Sequence, residues 1–431
     1  MKGRGVRAEA CLITSGLNCT DPFDHIMTAE NIVIVGTGQA GGWAAQTLRK
    51  EGYAGKVVLI GDEPHIPYER PPLSKAVLSG EASADSTHLI KREAFDQLTL
   101  DWRPGVRVMA IDRAAKRLSL SAGEHLAYDK LILCNGGRAR TLAVPGSNLP
   151  GIFTLRNIED ARALGQALIP GKKLVVVGGG WIGLEVAATA RKKGMAVTVV
   201  EAMQRLCERT VPPEISEFLS ALHSAHDTQV ILGTGVSGFS RHAEGALAVT
   251  LIDGRELVCD SVVIGIGLVP NDELAREAGL ACDGGILVDA QCRTSDADIF
   301  AAGDVASWHC DWAGRRMRLE SWQNAQEQGI AAARSALGLE VDHQPLPWFW
   351  SDQYGTNLQI YGVPLPSHRV VARGARGSDS FVLFYLDGNV VNAALGPNAA
   401  RDLRFARRLI EQRKVIDPER LADVQVPMSK L

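Results

Sequence analysis

Two glycine-rich segments are the residues of this chain whose spacing is best suited to chemistry. They read GTGQAG from Gly36 and GGGWIG from Gly178, and each follows a short apolar run and opens an alanine-rich stretch. In such a strand–turn–helix fingerprint, the first glycine permits the turn, the second lets backbone approach a pyrophosphate, and the third lets the helix pack on the strand. The fingerprints lie 142 positions apart, which indicates two dinucleotides bound side by side. A flavin and a nicotinamide are the expected pair, because hydride can pass between them.

An acidic residue follows the second predicted strand of each nucleotide unit, Asp62 in the first and Glu201 in the second. A carboxylate at that position holds the adenosine ribose of a dinucleotide. Glu201 would also repel a 2′-phosphate, so the sequence favours NADH over NADPH. Arg205 and Arg209 lie close to it in the sequence and weaken that preference, because an arginine can bind a 2′-phosphate.

Length, charge and cysteine content restrict the class of protein. A chain of 431 residues is expected to hold two or three domains. Its net charge of −3 disfavours a nucleic-acid binder held by bulk charge, and no apolar run reaches the length of a membrane span. The eight cysteines include no Cys-x-x-Cys pair, which indicates reduced thiols in a cytoplasmic protein, with neither a disulfide framework nor a metal site.

Residues 1–29 are predicted to be a disordered extension. They contain basic residues but no apolar core of the length that a secretory signal requires. Met27 stands four residues before the first predicted strand, so residues 1–26 are interpreted as a disordered extension or as the product of an upstream start.

The pattern changes near residue 345 to short alternating segments. Strands are predicted over Asn357–Tyr361, Arg369–Ala372, Phe381–Leu386 and Val390–Leu395, and a helix over Ala399–Lys414. The Asp387-Gly388 pair between two of these strands is typical of a hairpin turn. The sequence therefore predicts an antiparallel meander with one helix and no nucleotide fingerprint.

Six segments, in this order, resemble the FAD-dependent ferredoxin reductases: GTGQAG, IPYERPPLSK, GGGWIGLE, TSDADIFAAGD, ESWQNAQEQG and PWFWSDQY. Within that family they are most similar to the NADH:ferredoxin reductase component of bacterial aromatic-ring-hydroxylating dioxygenase systems, such as those for biphenyl, toluene and 3-phenylpropionate. Putidaredoxin reductase is a near relative of that group. The resemblance extends from Asn31 to Leu431, and the RPPLSK and WFWSDQY segments are its most specific parts.

The resemblance implies an α/β fold with two Rossmann-like dinucleotide-binding domains, as in glutathione reductase, and a C-terminal α+β domain. The FAD-binding domain would comprise residues 30–146 and 268–345. The NAD-binding domain would be inserted between them at residues 147–267, and the C-terminal domain would comprise residues 346–431.

Motif positions in the resemblance imply the site residues. FAD would be contacted by Gly36, Gly38, Ala40, Gly41, Asp62, Lys75, Val108, Arg156, Asp304 and Trp322. NADH would be contacted by Gly178, Gly180, Trp181, Ile182, Gly183, Glu185, Glu201, Arg209, Gly265 and Glu320. Lys75, Glu185 and Trp322 would act at the reacting rings, with Lys75 beside the isoalloxazine and paired with Glu185. No metal ligand is implied.

Two details concern the fit to the family pattern. Cys134-Asn135-Gly136 stands where the family has Ala-Thr-Gly, a change that polar Asn135 is expected to tolerate. Trp348 and Trp350 are interpreted mainly as structural aromatic residues, whereas the motif places Trp322 at the flavin.

The implied activity is electron splitting: hydride passes from NADH to FAD, and single electrons leave to a small [2Fe–2S] ferredoxin that feeds a terminal oxygenase. A Rieske-type ferredoxin is favoured, and the ferredoxin of a cytochrome P450 system or a rubredoxin is the alternative. No nucleic acid or membrane is expected as a partner.

Two other functions are weighed against this one. A disulfide reductase or a peroxide-reducing oxidase needs reactive cysteine near the flavin, and the predicted helix after the first fingerprint contains none. An apoptosis-inducing type of flavoprotein, acting by binding, is opposed by the mildly acidic pI and by the lack of a transit peptide.

Arginines near Trp322 and in the C-terminal helix are expected to form a basic rim that steers an acidic ferredoxin to the flavin. They are Arg315, Arg316 and Arg318, extended by Arg401, Arg404, Arg407 and Arg408. The alternative is that these arginines are solvated surface and nothing more.

Overall fold

The structure, a computed structural model, describes residues 31–431. The extension predicted for residues 1–29, with Met27, lies outside the described residues. Within residues 31–431, no helix combines the length and the apolar character that a membrane crossing needs. The same part of the chain has no group of His, Cys, Asp and Glu arranged to hold a metal ion.

The first part of the chain builds most of a parallel sheet. Its elements are β1 (Asn31–Val35), α1 (Gln39–Lys50), β2 (Lys56–Gly61), α2 (Ala76–Ser79), α3 (Arg92–Asp96), β3 (Asp101–Pro104), β4 (Val108–Asp112), β5 (Arg117–Leu120), β6 (His125–Ala127), β7 (Lys130–Leu133) and β8 (Gly137–Ala139). β1 pairs in parallel with β2 on one side and with β7 on the other. Alternate residues of β1 enter two different buried clusters, so both faces of this central strand are covered.

The next part builds a second parallel sheet of the same kind. Its elements are β9 (Ile152–Phe153), α4 (Ile158–Ala167), β10 (Lys173–Val177), α5 (Trp181–Lys192), β11 (Ala196–Glu201), α6 (Pro213–Ala225), β12 (Thr228–Leu232), β13 (Val236–Arg241), β14 (Leu247–Leu251), β15 (Glu256–Cys259) and β16 (Ser261–Ile264). The parallel strands follow the order β12-β11-β10-β16-β9. The antiparallel sheet of β13, β14 and β15 packs against them through a shared apolar cluster.

The chain then returns to the first sheet. The elements of this part are β17 (Leu268–Pro270), α7 (Glu273–Glu277), β18 (Ile286–Leu287), β19 (Ile299–Ala301), β20 (Ala306–Cys310), β21 (Arg315–Met317) and α8 (Trp322–Ala336). β19 pairs in parallel with β7 and completes the order β19-β7-β1-β2-β3. One sheet is therefore assembled from two segments of the chain, and the second parallel sheet is built from the residues between them.

The last part forms an antiparallel sheet with two helices. Its elements are β22 (Trp348–Gln353), β23 (Thr356–Gly362), β24 (Arg369–Arg373), β25 (Val382–Asp387), β26 (Val390–Pro397), α9 (Ala400–Glu411) and α10 (Pro418–Ala422). The predicted α/β class, with two Rossmann-like units and a C-terminal α+β unit, is confirmed.

The prediction of a simple meander in this part was wrong. The strand order is β22-β23-β26-β25-β24, so β23 pairs with β26 and not with β24. The burial of the strands explains the order: β26 is buried along most of its length and lies inside the sheet, whereas the half-exposed β24 lies at an edge. The segment from Trp348 is itself a strand, which the sequence reasoning did not assign.

The close approach of α1 and α8 fixes the position of the first fingerprint helix. A Cβ on Gly329 of α8 would overlap the backbone carbonyl oxygen of Ala40 in α1. Ala40, the second residue of α1, therefore rests directly on α8, and only glycine at position 329 leaves room for it.

Gly329→Ala is expected to lower the free energy of unfolding by about 1–3 kcal/mol, because the added methyl group must push the two helices apart. Gly165→Ala in α4 is the matched control: its Cβ would lie 3.8 Å from the nearest atom, the carbonyl oxygen of Leu78. Alanine favours helix over glycine, so the control should be neutral or stabilising. Urea unfolding of both variants checks the prediction, and equal midpoints would contradict it.

Candidate functional site: a cleft between two nucleotide-type turns

One cleft, of about 1470 Å³, is bordered by the turns that follow β1 and β10. Both turns begin with a glycine at positive φ, 111° at Gly36 and 109° at Gly178, which residues with a side chain rarely adopt. A side chain on the third glycine of either fingerprint, Gly41 or Gly183, would overlap the carbonyl oxygen of the first. The two turns are therefore built in the same way and open on the same cavity.

The structure brings most of the predicted site residues to this cleft. It is lined by Gly36, Gly38, Ala40, Asp62, Lys75, Val108, Arg156, Gly178, Gly180, Trp181, Ile182, Glu185, Glu201, Arg209, Gly265, Asp304, Glu320 and Trp322. Gly41 and Gly183 lie beneath the turns, where they allow the close contact described above. What each of these residues binds stays a prediction.

The helices that follow the two turns carry no side-chain caps. α1 begins after Gly38 and α5 after Gly180, and neither glycine can cap the N–H groups that follow it. α4 and α8, by contrast, are capped by Asn157 and Ser321. N–H groups without a side-chain cap and the positive end of the helix dipole favour an anion, so each turn is suited to a dinucleotide pyrophosphate. The residues present therefore fit two dinucleotides.

Two largely buried arginines lie beside the first turn. Arg156 forms an ion pair with Asp304 at 2.7 Å, and its Nε has no partner among the described residues. Arg70 pairs with Glu63 at 2.7 Å and donates to the carbonyl oxygen of Arg156 at 2.6 Å. Burial raises the pKa of Glu63, but the Arg70 charge and the Tyr68 hydroxyl outweigh burial and hold this pKa below its ordinary value. Sequence reasoning missed Arg70, although it opens the RPPLSK segment.

The outer ends of the cleft are exposed and partly apolar. The side chain of Asp62 is 64% exposed, with Arg107 at 4.0 Å. Met109, Ile182 and Met203 are large apolar side chains that stay exposed and line the same cleft. Exposed apolar side chains in a cleft indicate contact with a ligand, and flat nucleotide rings are suited to them.

Asn135, the departure from the family pattern, is held in place by a second asparagine. Its side-chain amide donates to the carbonyl oxygen of Asn271, and the Asn271 amide donates back to the carbonyl oxygen of Asn135 at 2.8 Å. The turn after β7 is thereby tied to the return of the chain after β17.

Glu201 lies against the second turn. Its carboxylate accepts hydrogen bonds from the backbone N–H groups of Gly179 at 2.6 Å and Met203 at 2.7 Å. Arg205 is directed away, because its guanidinium donates to the Ser216 hydroxyl at 2.8 Å and to the carbonyl oxygen of Val211. A negative charge is therefore fixed at the turn, and one of the two arginines that weakened the NADH preference is already engaged.

Arg209, the other of those arginines, lines the cleft. Its guanidinium lies within 3.6 Å of the place where a Cβ on Gly267 would stand, beyond the end of β16. It therefore lies near the turn after β16, while Glu201 contacts the second fingerprint turn.

Lys75 and Glu185 form an ion pair at 2.8 Å between the two turns. The Lys75 side chain is 22% exposed, whereas that of Glu185 is 4% exposed. The contact between these two residues was expected from the resemblance and is present. It joins the proline-rich loop of the first unit to α5 of the second.

Glu185 also accepts hydrogen bonds from two serine hydroxyls. Ser74 donates to the oxygen that Lys75 contacts, and Ser351 of β22 donates to the other oxygen at 2.6 Å. Sequence reasoning missed both serines, because their motifs identify the family without showing which side chains meet.

Aromatic side chains form one wall of the cleft. Trp181 contacts Phe349 of β22 with ring centroids 4.9 Å apart, and Trp322 meets Trp350 edge to face at 6.0 Å. Trp350, which stacks on Trp348 at 4.8 Å, lines the cleft and does not serve only as a core residue. β22 therefore extends between α5 and α8 and completes the site.

Two cysteines line the cleft, but neither has the character of a reactive thiol. Burial raises the pKa of Cys134 to about 12 and raises the pKa of Cys207 further. A thiol with a raised pKa stays protonated near neutral pH and is a poor nucleophile. All six cysteines of the described residues are free.

The arginines expected near Trp322 do not line the cleft. Arg316 donates to the carbonyl oxygens of Ser307 at 3.0 Å and Val288 at 3.3 Å. Arg318 pairs with Glu320 at 2.7 Å, which neutralises both charges. In α9, Arg401, Arg404 and Arg408 are exposed.

Two buried histidines, His223 and His343, are expected to make the stability of the fold depend on pH. Burial lowers the pKa of His223, in α6, to about 4, and that of His343 likewise. An unfolded histidine titrates near 6.5, so between about pH 6.5 and 4 the unfolded state binds more protons than the folded state. The contribution of these histidines to the free energy of unfolding is therefore fully present above pH 6.5 and is lost as the pH is lowered toward 4.

We expect His223→Asn to reduce the dependence of unfolding free energy on pH by up to about 1.4 kcal/mol per pH unit in this window. The control is His242→Asn, which changes an exposed histidine and should keep the parent slope. Urea unfolding at several pH values between 7 and 5 measures this slope. A parent slope in the His223 variant would show that folding does not lower the pKa of this histidine.

Two family models match the chain. The pyridine nucleotide-disulphide oxidoreductase model matches residues 30–329, and the reductase C-terminal model matches residues 348–431. The chain is 42% identical to the benzene 1,2-dioxygenase system ferredoxin–NAD(+) reductase subunit of Pseudomonas putida over 397 residues. The alignment covers 92% of this chain and 96% of that protein.

Solved structures show the same likeness. The covalent putidaredoxin reductase–putidaredoxin complex matches with a TM-score of 0.90 and 39% identity, covering 93% of this chain and 97% of that chain. The ferredoxin reductase for the CYP199A2 system from Rhodopseudomonas palustris matches with a TM-score of 0.88 and 37% identity, covering 93% and 99%.

Proposed function

The chain belongs to the pyridine nucleotide-disulphide oxidoreductase family, and we propose that it is an FAD-dependent NADH:ferredoxin reductase of an aromatic-ring dioxygenase system. FAD occupies the unit formed by residues 30–146 and 268–345, and NADH occupies the unit formed by residues 147–267. A [2Fe–2S] ferredoxin, with a Rieske-type protein favoured, receives the electrons and passes them to a terminal oxygenase. The benzene dioxygenase reductase is the relative that supports this assignment.

The observation that carries the proposal is that two nucleotide-type turns open on one cleft with the Lys75–Glu185 pair between them. The two cofactors, when bound, would supply hydride transfer from nicotinamide to flavin and the release of single electrons. The chain positions the two rings: the uncapped ends of α1 and α5 bind the phosphates, and the aromatic wall excludes water. Lys75 supplies a positive charge beside the rings, and no side chain is needed as a nucleophile.

Thiol chemistry is not supported, despite the name of the family. A disulfide reductase needs a thiolate beside the flavin. The two cysteines that line the cleft, Cys134 and Cys207, have raised pKa values because they are buried. α1, which begins at the first turn, contains no cysteine. Electrons are therefore proposed to leave the flavin for a separate carrier.

A second candidate function, service to a different terminal enzyme, is favoured by the match to the reductase of the CYP199A2 system. The two functions share every step on this chain, since the terminal enzyme does not touch the cleft. Electron transfer to ferredoxins of the two kinds of system, compared at equal concentration, separates them.

The purified protein is expected to carry one FAD per chain, released by acid, and to reduce a [2Fe–2S] ferredoxin with NADH. Lys75→Met should keep FAD bound and slow its reduction, because the lysine acts beside the reacting ring and not at the phosphates. Absorbance of the released flavin and stopped-flow traces measure both. Flavin that stays on the polypeptide after acid precipitation, or an unchanged trace in the variant, would contradict the proposal.

NADH is expected to be preferred strongly over NADPH. Glu201 fixes a negative charge at the second turn, and a 2′-phosphate placed there would be repelled. Glu201→Ala should lower the ratio of kcat/KM for NADH to kcat/KM for NADPH. Arg205→Ala should leave this ratio unchanged, because Arg205 is engaged by Ser216. Equal use of the two cofactors by the parent protein would contradict the placement of the ribose at Glu201.

Ferredoxin reduction is expected to fall steeply with rising salt, while NADH–ferricyanide turnover changes much less. Arg316→Glu and Arg404→Glu should each raise the apparent KM for ferredoxin. Arg117→Glu, at an exposed arginine that does not line the cleft, is the control. A rise in the Arg404 variant alone would restrict the docking surface to α9, and salt-insensitive reduction would remove both arginines from the interface.

A further inference from the structure

Glu185 is buried, with 3% of its surface exposed, and three groups donate to its carboxylate. Lys75 and Ser74 both contact one carboxylate oxygen, Oε2. Oε1 receives its hydrogen bond from Ser351, which is itself 1% exposed. The second oxygen of this buried charge thus depends on a residue of the C-terminal sheet.

The hydroxyl of Ser351 is oriented by its neighbour in β22. Gln353 donates its side-chain amide to the Ser351 oxygen at 3.1 Å, so the serine proton is left to point at Glu185. The Gln353 carbonyl oxygen can only accept, and it lies 2.8 Å from Nε2 of His223. His223 must therefore carry its proton on Nε2 and donate to Gln353.

The other ring nitrogen of His223, Nδ1, extends this series of hydrogen bonds in the same direction. A neutral histidine with a proton on Nε2 accepts at Nδ1, and the hydroxyl of Tyr354 lies 3.5 Å from it. Thr228 lies 2.9 Å from that hydroxyl and can donate to it. Each hydrogen bond in the series between Thr228 and Glu185 can therefore point toward the carboxylate. In each bond the donor is the group nearer to Thr228, and the acceptor is the group nearer to Glu185.

Tyr354 is held in an unusual backbone conformation to take this place. It has a φ of 53° and, with Gly355 at 81°, forms the two-residue turn between β22 and β23. Such turns favour asparagine, aspartate or glycine at the first position, so a tyrosine there is strained. Its ring stacks on His226 at the end of α6, with centroids 3.8 Å apart and planes 11° apart. The contacts of the side chain outweigh the strain of the backbone.

The geometry points to Ser351 as a positioning residue for the proposed reaction: it holds the Glu185 carboxylate, and through it the Lys75 ammonium, in place at the cleft. Hydrogen bonds aligned in one direction polarise one another, so the chain from Thr228 delivers its strongest donor at the carboxylate. The inference rests on the proposed function only in placing a flavin beside Lys75. Residues of α6 and of β22 are thereby connected to the charge that faces the reacting rings.

The test uses FAD-loaded Ser351→Ala. Removing the donor leaves one oxygen of a buried carboxylate unpaired, which weakens its hold on Lys75. We expect the rate constant for flavin reduction by NADH to fall about tenfold with little change in the KM for NADH, as for loss of a hydrogen bond to a charged group. The midpoint potential of the bound flavin should become more positive, because the Lys75 charge is less well balanced.

Two further variants separate positioning from general damage. Ser351→Thr retains the hydroxyl and should restore both the rate constant and the potential. Ser261→Ala removes an equally buried hydroxyl that has no partner among the described residues, so rate and potential should equal those of the parent. Thermal unfolding of all three variants reports any loss of stability separately.

The outcomes are distinct. A parent rate and potential in Ser351→Ala, equal changes in Ser261→Ala, or failure of Ser351→Thr to restore either quantity would overturn the inference. If the flavin of the parent protein is not reduced by NADH, the proposed function fails instead, and the potential measurement still reports whether Ser351 acts on Lys75.

Discussion

The placement of one buried carboxylate organises the functional part of this molecule. Glu185 is the fifth residue of α5, just after the second fingerprint, and an unpaired charge at that depth would cost several kcal/mol. Its partners come from two separate parts of the chain: the proline-rich loop supplies Lys75 and Ser74, and the C-terminal sheet supplies Ser351. The need to satisfy one charge therefore fixes how the two nucleotide units and the last sheet meet.

The second constraint is steric. The fingerprint glycines keep the turns free of side chains, which leaves room for close backbone contacts and for a ligand. Side chains are excluded where each helix crosses its strand, and this lets α1 and α5 bring their N-terminal N–H groups to the cleft. Both turns border the same cleft of about 1470 Å³, so two dinucleotides bound at them would share it. The residues between the turns are then a lysine, a buried carboxylate and aromatic rings, which suits the transfer of hydride between two cofactors better than thiol chemistry.

Sequence patterns were sufficient for the parts that depend on local chemistry. The apolar runs at Asn31 and Lys173 became central parallel strands, and the glycine spacing placed both turns. The C-terminal strand order was not predictable in this way. β23 pairs with β26 because β26 is buried inside the sheet, and this burial is evident only in the assembled sheet. Ser351 and Arg70 were missed for a related reason: each stands in a recognised motif, but its partner lies far away in the sequence.

The same distinction between local and distant contacts applies to the surface charges. Arg316 and Arg318 stand beside Trp322 in the sequence, yet their guanidinium groups are engaged by backbone carbonyls and by Glu320. Glu320 offsets the charge of Arg318, whereas the backbone carbonyls that bind Arg316 leave its charge in place. An arginine without an acidic partner on an exposed surface attracts an acidic protein over several ångströms. Arg401, Arg404 and Arg408 of α9 are exposed, and α9 packs against β23 and β26, in the sheet whose β22 carries the aromatic wall. A carrier drawn to α9 would thus approach the sheet whose first strand, β22, forms the aromatic wall of the cleft.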